Sequence, residues 1–186
     1  MPLTKVAVKS ELRGIMATTN VELTYVNPSK DDPLECTYTF PLDKTSVLAK
    51  FEASIDDRII VTKIKDKESA KEQYDDAVAS GNTAVIAERK KKDEVMTVKL
   101  GNLLPGQSAT LKSTILSQLE VIGGNYSYSL PAAFFPDYKK HGVKEKAAYT
   151  YEFAYEVKII ADCPISNLSI PGNAIIMAQN EARTEI

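Results

Sequence analysis

The sequence predicts a mainly β protein of antiparallel strands with one principal α-helix. Three observations point there. Apolar and polar residues alternate with a period of two through the first third of the chain. Clusters of turn-forming residues separate the alternating runs. A single stretch, "KDKESAKEQYDDAVASGNTAVIAER" (Lys65–Arg89), carries a helical period and then returns to a period of two.

The elements follow in order. "TKVAVKS" (Thr4–Ser10) puts Val6 and Val8 on one face, and "NVELTYVN" (Asn20–Asn27) does the same with Val21, Leu23 and Tyr25. "ECTYTF" (Glu35–Phe40) aligns Cys36, Tyr38 and Phe40 and ends at Pro41, which cannot donate to a ladder. One oily face per strand means half-buried antiparallel strands. "NPSKDDP" (Asn27–Pro33) is the turn between the second and third. "SVLAKFEASIDDRIIVTKIK" (Ser46–Lys65) reads as a hairpin, with Val47, Ala49, Phe51 and Ala53 on one face and Ile55–Arg58 as the turn.

Ala70, Tyr74, Ala77 and Val78 then fall at i, i+4, i+7 and i+8, the stripe of a helix of about 13 residues. Asp66 or Ser69 is expected to cap its start. Gly81 sits where a left-handed C-terminal cap belongs. Small residues dominate the stripe, so tertiary contact must hold the helix.

Strands return in "TAVIAER" (Thr83–Arg89) and "DEVMTVKL" (Asp93–Leu100), joined by the basic run Arg89, Lys90, Lys91, Lys92. "GNLLPGQ" (Gly101–Gln107) is a turn, and "SATLKSTILSQLEV" (Ser108–Val121) a long strand or a pair. "YSYSL" (Tyr126–Leu130) reads as a short strand after a glycine break. Pro131 and Pro136 bracket an apolar segment that packs along a sheet rather than joining one. A polar, aperiodic stretch at Tyr138–Ala148 marks a boundary. The run "YTYEFAYEVKII" (Tyr149–Ile160) opens a second β region.

The 186 residues suit one large β domain, or one domain and part of another. A net charge of −2 gives no global field for nucleic acid or an anionic membrane. No apolar run reaches the roughly 20 residues of a membrane span, and the N-terminus lacks a signal-peptide core. Cys36 and Cys163 are expected as free, buried thiols. Sequons occur at Asn125 and Asn167 and matter only in a secreted protein.

Candidate chemistry is sparse. The sole histidine, His141, lies in the polar boundary stretch, which removes most nucleophile–base schemes. Two distant cysteines and one histidine make no zinc ligand set. The pairs Asp31–Asp32, Asp56–Asp57 and Asp75–Asp76 are adjacent in sequence, so their carboxyls point apart and form poor dyads. Arg89–Lys92 is flanked by Glu88, Asp93 and Glu94, which favours a solvated hairpin tip or a contact with an acidic partner. Tyr74 on a stripe of small residues reads as the helix anchor.

Taken together, the ordered motifs resemble the VIT (vault protein inter-alpha-trypsin) domain. They are Glu35 with Phe40-Pro41-Leu42, Ala70-Lys71 with Tyr74 and Ala77, Gly101-Asn102 with Pro105-Gly106, and Tyr128 with Leu130-Pro131. Gly81 closes the helix of this signature. The resemblance covers about residues 1–138. It implies an antiparallel β-sandwich with one principal helix, found N-terminal to von Willebrand factor A domains in inter-alpha-trypsin inhibitor heavy chains, in the vault poly(ADP-ribose) polymerase and in intracellular proteins.

On that basis residues 1–138 are the VIT domain and 139–148 a linker. Residues 149–186 are the opening strands of a second β unit that leads to a von Willebrand A domain. The resemblance implies no enzymatic activity, no cofactor and no metal, and the absence of a DxSxS motif agrees. The expected role is a non-catalytic protein-interaction or scaffold module in the cytoplasm, or outside the cell if a leader has been removed, with a cis contact to an A domain and no nucleic-acid or membrane partner. The alternative is a carbohydrate-binding or hydrolytic β-sandwich that uses Tyr74, Asp75 and Asp76.

Overall fold

In the computed structural model, residues 3–42, 44–55, 58–61, 67–82, 84–90, 95–131, 134–135, 151–170 and 177–186 are described. Two sheets face each other. The larger is built from β1 (Leu3–Arg13), β2 (Met16–Val26), β4 (Ser46–Ile55), β5 (Arg58–Val61), β8 (Ser108–Gln118) and β11 (Glu152–Ile160), in the order β11-β1-β2-β8-β4-β5. The smaller is β3 (Leu34–Pro41), β7 (Val95–Leu103) and β6 (Ala84–Lys90), in the order β3-β7-β6. A short hairpin, β9 (Glu120–Ile122) with β10 (Asn125–Ser127), and one helix, α1 (Lys67–Ala79), complete the described elements.

Alternation explains the packing. Ala17, Thr19, Val21, Leu23 and Tyr25 of β2 are buried, and so are Ala109, Leu111, Ser113 and Ile115 of β8, while the residues between them face out. Their inner faces meet Phe40 and Val98 of the smaller sheet in one core cluster. Phe40, 1% exposed, stacks on Tyr38 at 5.2 Å and on Phe134 at 5.7 Å between ring centres. Burying a phenyl group of this kind contributes about 1.5–3 kcal/mol. The Tyr38 hydroxyl donates to the Phe134 carbonyl at 2.9 Å. Burial pushes its pKa well above the usual phenol value, and Tyr25 adds to the shift. Phe134 therefore packs on the sheet without entering it, as the flanking prolines require.

Four expectations change. Val47, expected on one face with Phe51, is 57% exposed, and Leu48 packs on the core instead. The β4–β8 register shifts between Leu48 and Lys50, and this bulge reverses the alternation. The short strand expected at Tyr126–Leu130 is Asn125–Ser127, because the hairpin with β9 fixes its register. Ser69 lies inside α1 rather than at its cap, and Asp66 lies outside the described residues. Cys163 is free but exposed in the loop after β11, where no strand face covers it; nothing is described of the Cys36 side chain.

The strand assigned to a second β region joins the first sheet. β11 runs parallel to β1, from Lys5 opposite Glu152 to Arg13 opposite Ile160. The boundary stretch 138–148 lies outside the described residues. No helix among the described residues is long and apolar enough to cross a membrane.

The helix stop forms as the glycine foretold. The N–H of Asn82 bonds the Ala77 carbonyl at 2.9 Å and that of Gly81 bonds the Val78 carbonyl at 3.0 Å, with Gly81 at φ +76°. This is the Schellman arrangement. A Cβ at Gly81 meets nothing within 4 Å, so Gly81→Ala pays only in backbone conformation. The expected loss is about 1 kcal/mol, read from denaturant midpoints with an unchanged slope.

Candidate functional site

Four of the expected signature residues, Glu35, Tyr74, Ala77 and Gly101, meet at one place, where α1 docks on the smaller sheet. Tyr74 is 8% exposed and clusters with Ala77, Val78 and Ala84. Its hydroxyl donates to Oε1 of Glu35 at 3.0 Å. An ideal Cβ at Gly101 would lie 2.6 Å from the Tyr74 hydroxyl and 2.7 Å from Cγ2 of Val78. Real Cβ atoms do not approach so closely, so only glycine admits the tyrosine here.

The strand register makes this seat. Leu34 pairs with Leu103 and Cys36 with Leu100, so Gly101 and Asn102 together stand opposite Glu35. Such a bulge needs one residue in an unusual conformation. Asn102 supplies it at φ +58°, a region that asparagine tolerates better than most side chains. Glu35, Tyr74 and the pair Gly101-Asn102 come from three distant segments and form one node.

Pro105 and Gly106 follow as a type II turn. Gln107 N–H bonds the Leu104 carbonyl at 3.1 Å, and Gly106 has φ +73°. The turn is held by Asn27, which reading the sequence alone treats only as a turn former. Asn27 is 1% exposed. Its side-chain amide donates to the Leu103 carbonyl at 2.8 Å and to the Asp32 carbonyl at 3.1 Å. Its side-chain oxygen accepts from Ser29 N–H at 2.9 Å. Its backbone N–H donates to Gln107 at 2.9 Å and its carbonyl accepts from Gly106 at 3.1 Å. One residue thus ties the β2–β3 connection to the β7–β8 turn. Asn followed by Pro was the only sequence signal, and it names a turn rather than a tie.

A hydroxyl cluster was also missed. The Tyr128 hydroxyl lies 2.7 Å from both Ser10 Oγ and Thr19 Oγ1, which are buried on β1 and β2. Tyr155 of β11 lies beside the same hydroxyls. Burial first, and then Tyr128, raise its pKa above the usual phenol range. Among the described residues, no buried side-chain polar atom lacks a partner.

The other candidates do not converge. Asp75 and Asp76 are exposed, while Tyr74 between them and the sheet is buried. The three do not share a cleft. Arg89 and Lys90 end β6, paired with Met96 and Val95; their side chains, and all of Lys91 and Lys92, lie outside the described residues. Asn125 and Asn167 are exposed. His141 lies outside the described residues, and those described hold no group of three metal-ligating side chains.

Residues 3–115 match the vault protein inter-alpha-trypsin domain. The chain is 34% identical over 152 residues to the human protein mono-ADP-ribosyltransferase PARP4, a stretch covering 82% of this chain and 9% of that protein. It is 31% identical over 171 residues to a von Willebrand factor A domain-containing protein of Dictyostelium discoideum, covering 91% of this chain and 17% of that protein. To the mouse von Willebrand factor A domain-containing protein 5A it is 31% identical over 141 residues, covering 75% and 18%. The chain spans less than a fifth of each of these relatives.

Proposed function

Because the chain belongs to the vault protein inter-alpha-trypsin domain family, we propose that it acts as a non-catalytic interaction or scaffold module of a larger protein containing a von Willebrand factor A domain. One observation carries the reading. Tyr74 commits its hydroxyl to Glu35, and Gly101 leaves the room that Tyr74 fills. A signature that builds a docking node for its own helix supports an architectural role. It speaks against a site at Tyr74, Asp75 and Asp76, because those side chains diverge.

The partner proposed is a von Willebrand A domain held in cis, which the names of the Dictyostelium and mouse relatives support. The basic run Arg89–Lys92 is the proposed contact with acidic groups of a partner protein. The transferase activity named for the human relative is not carried over, since the match covers a small part of that protein.

Titrating the chain with the isolated A domain of the Dictyostelium relative tests this reading. Saturable binding that weakens as salt rises is expected if the basic run takes part. No binding at sub-millimolar protein would contradict the cis contact. Transfer of label from NAD⁺ by the chain alone would contradict the non-catalytic role.

A further inference from the structure

One end of the sandwich keeps large apolar side chains in water. The backbone brings four segments together there. Met16 pairs with Gln118, and Val47 with Leu116, across the larger sheet. Leu119 N–H donates to the Ile15 carbonyl at 2.8 Å, and Gln118 N–H donates to the Thr45 carbonyl at 3.3 Å. The β9–β10 hairpin leaves the sheet directly after these bonds. Ile15, Met16, Val47 and Leu116 are all more than a third exposed. On the hairpin, Val121 is 65% exposed, and Ile122 and Tyr126 are each 61% exposed.

The hairpin is set by its own turn. Gly123 at φ +57° and Gly124 at φ +82° both take left-handed conformations, as a type I′ turn requires. The turn fixes Val121 opposite Tyr126 and Ile122 opposite Asn125. None of the six strand residues is buried. A two-stranded hairpin is marginal by itself. Its apolar side chains therefore contribute little to the fold of a single copy.

Beside the hairpin lies an open hollow of about 460 Å³, lined by Thr45 and by residues 118–122. Tyr126 stands across the hairpin from Val121, which forms part of that lining. A projecting ring and a hollow thus share one end of the molecule. A two-fold contact needs this, because one patch must supply both the knob and the hole. Tyrosine suits the part of the knob, since its ring fills a pocket and its hydroxyl takes a polar partner. Gln118 and Glu120 offer acceptors on the wall of the hollow.

Area and composition favour a second copy as the occupant. At roughly 200 Å² for a large side chain, the seven exposed residues leave about 700 Å² of apolar surface in water. A monomer ordinarily keeps only a few hundred Å² in one place. Each partner in a stable complex gives about 800 Å². Glu120 is the only charged residue of the hairpin, so the hairpin offers anionic lipid no cation. A surface this apolar and this poor in charge has the composition of an interface between identical subunits.

We propose that two copies of this chain join through this end about a two-fold axis, each seating Tyr126 in the hollow of the other. The contact uses neither α1 nor the basic run Arg89–Lys92, so it is separate from the A-domain contact.

Sedimentation of the 186-residue chain over a concentration series is the first measurement, with a reversible monomer–dimer shift expected. Tyr126→Ser and Val121→Arg change exposed side chains, so both variants should melt as the parent does. Each should weaken the dimer at least tenfold, the first by removing the knob and the second by filling the hollow. Mixing the two variants gives the sharper reading. The Tyr126→Ser copy keeps its hollow and the Val121→Arg copy keeps its tyrosine, so the mixture restores one of the two contacts. It should associate more tightly than either variant alone. A chain that stays monomeric at every concentration would overturn the proposal and leave this end to a different protein. Dimers that survive both substitutions, or a mixture no tighter than its components, would overturn the two-fold seating of Tyr126.

Discussion

Gly101→Ala should destabilise the protein by roughly 1–3 kcal/mol, the cost of overpacking a site without room for a methyl group. The substitution looks mild, since alanine suits a strand better than glycine does. The geometry decides otherwise. The added Cβ would stand 2.6 Å from the Tyr74 hydroxyl and 2.7 Å from Val78. Either the tyrosine leaves Glu35 or the whole helix moves off the sheet, and both loosen α1. Amide exchange should therefore accelerate most across Lys67–Ala79, while β2 and β8 keep their protection. Denaturant midpoints give the global loss. A Gly101→Ala variant as stable as the parent would mean that the seat is not tight.

Asn27→Ala should cost more, about 2–4 kcal/mol. Three backbone groups lose their partner together: the Leu103 and Asp32 carbonyls and the Ser29 N–H. Each lost bond costs about 1 kcal/mol, and a buried group left unpaired adds its desolvation. Leu103 is itself fully buried, so its carbonyl has no ready access to water. Asn27→Asp gives the sharper test, because it keeps the acceptor and replaces the donor with a carboxyl. The neutral carboxyl can still donate one hydrogen bond. The ionised form would face two carbonyl oxygens in a buried site, so its folded pKa is raised above the usual value of about 3.9. An acid with a raised folded pKa gives stability that is present below the unfolded pKa and lost as pH rises through the folded one. The Asn27→Asp variant should lie nearest the parent at acid pH and fall below it as pH rises from about 4. A deficit independent of pH would show that the donated hydrogen bonds are not what holds the turn.

Much of the fold is legible because it is periodic. Val21, Leu23 and Tyr25 announce β2, and Ala70, Tyr74, Ala77 and Val78 announce α1, since burial on one face imposes the period directly. A bulge leaves no such mark. One inserted residue near Ala49 turns Val47 outward, and composition does not register it. The neighbour of β11 was equally hidden. Its alternation is plain, but pairing with β1 joins residues from opposite ends of the chain.

The candidate site divides in the same way. Tyr74, Gly81 and Gly101 stand out singly as helix anchor, helix stop and turn glycine. That Gly101 exists to admit Tyr74 is a contact between distant segments and has no local signature. The hold of Asn27 on the 103–107 turn was missed for that reason, and so was the meeting of Ser10, Thr19 and Tyr128.

The docking of α1 through Tyr74 onto Glu35 and Gly101 is tested most directly by a double-mutant cycle between Tyr74→Ala and Gly101→Ala. Tyr74→Ala alone should cost on the order of 3 kcal/mol, as truncating a buried aromatic does. With the ring gone, the methyl at Gly101 loses its main clash. Gly101→Ala should then cost at least 1 kcal/mol less in the Tyr74→Ala background than in the parent. Additive effects, within about 0.5 kcal/mol, would contradict the account.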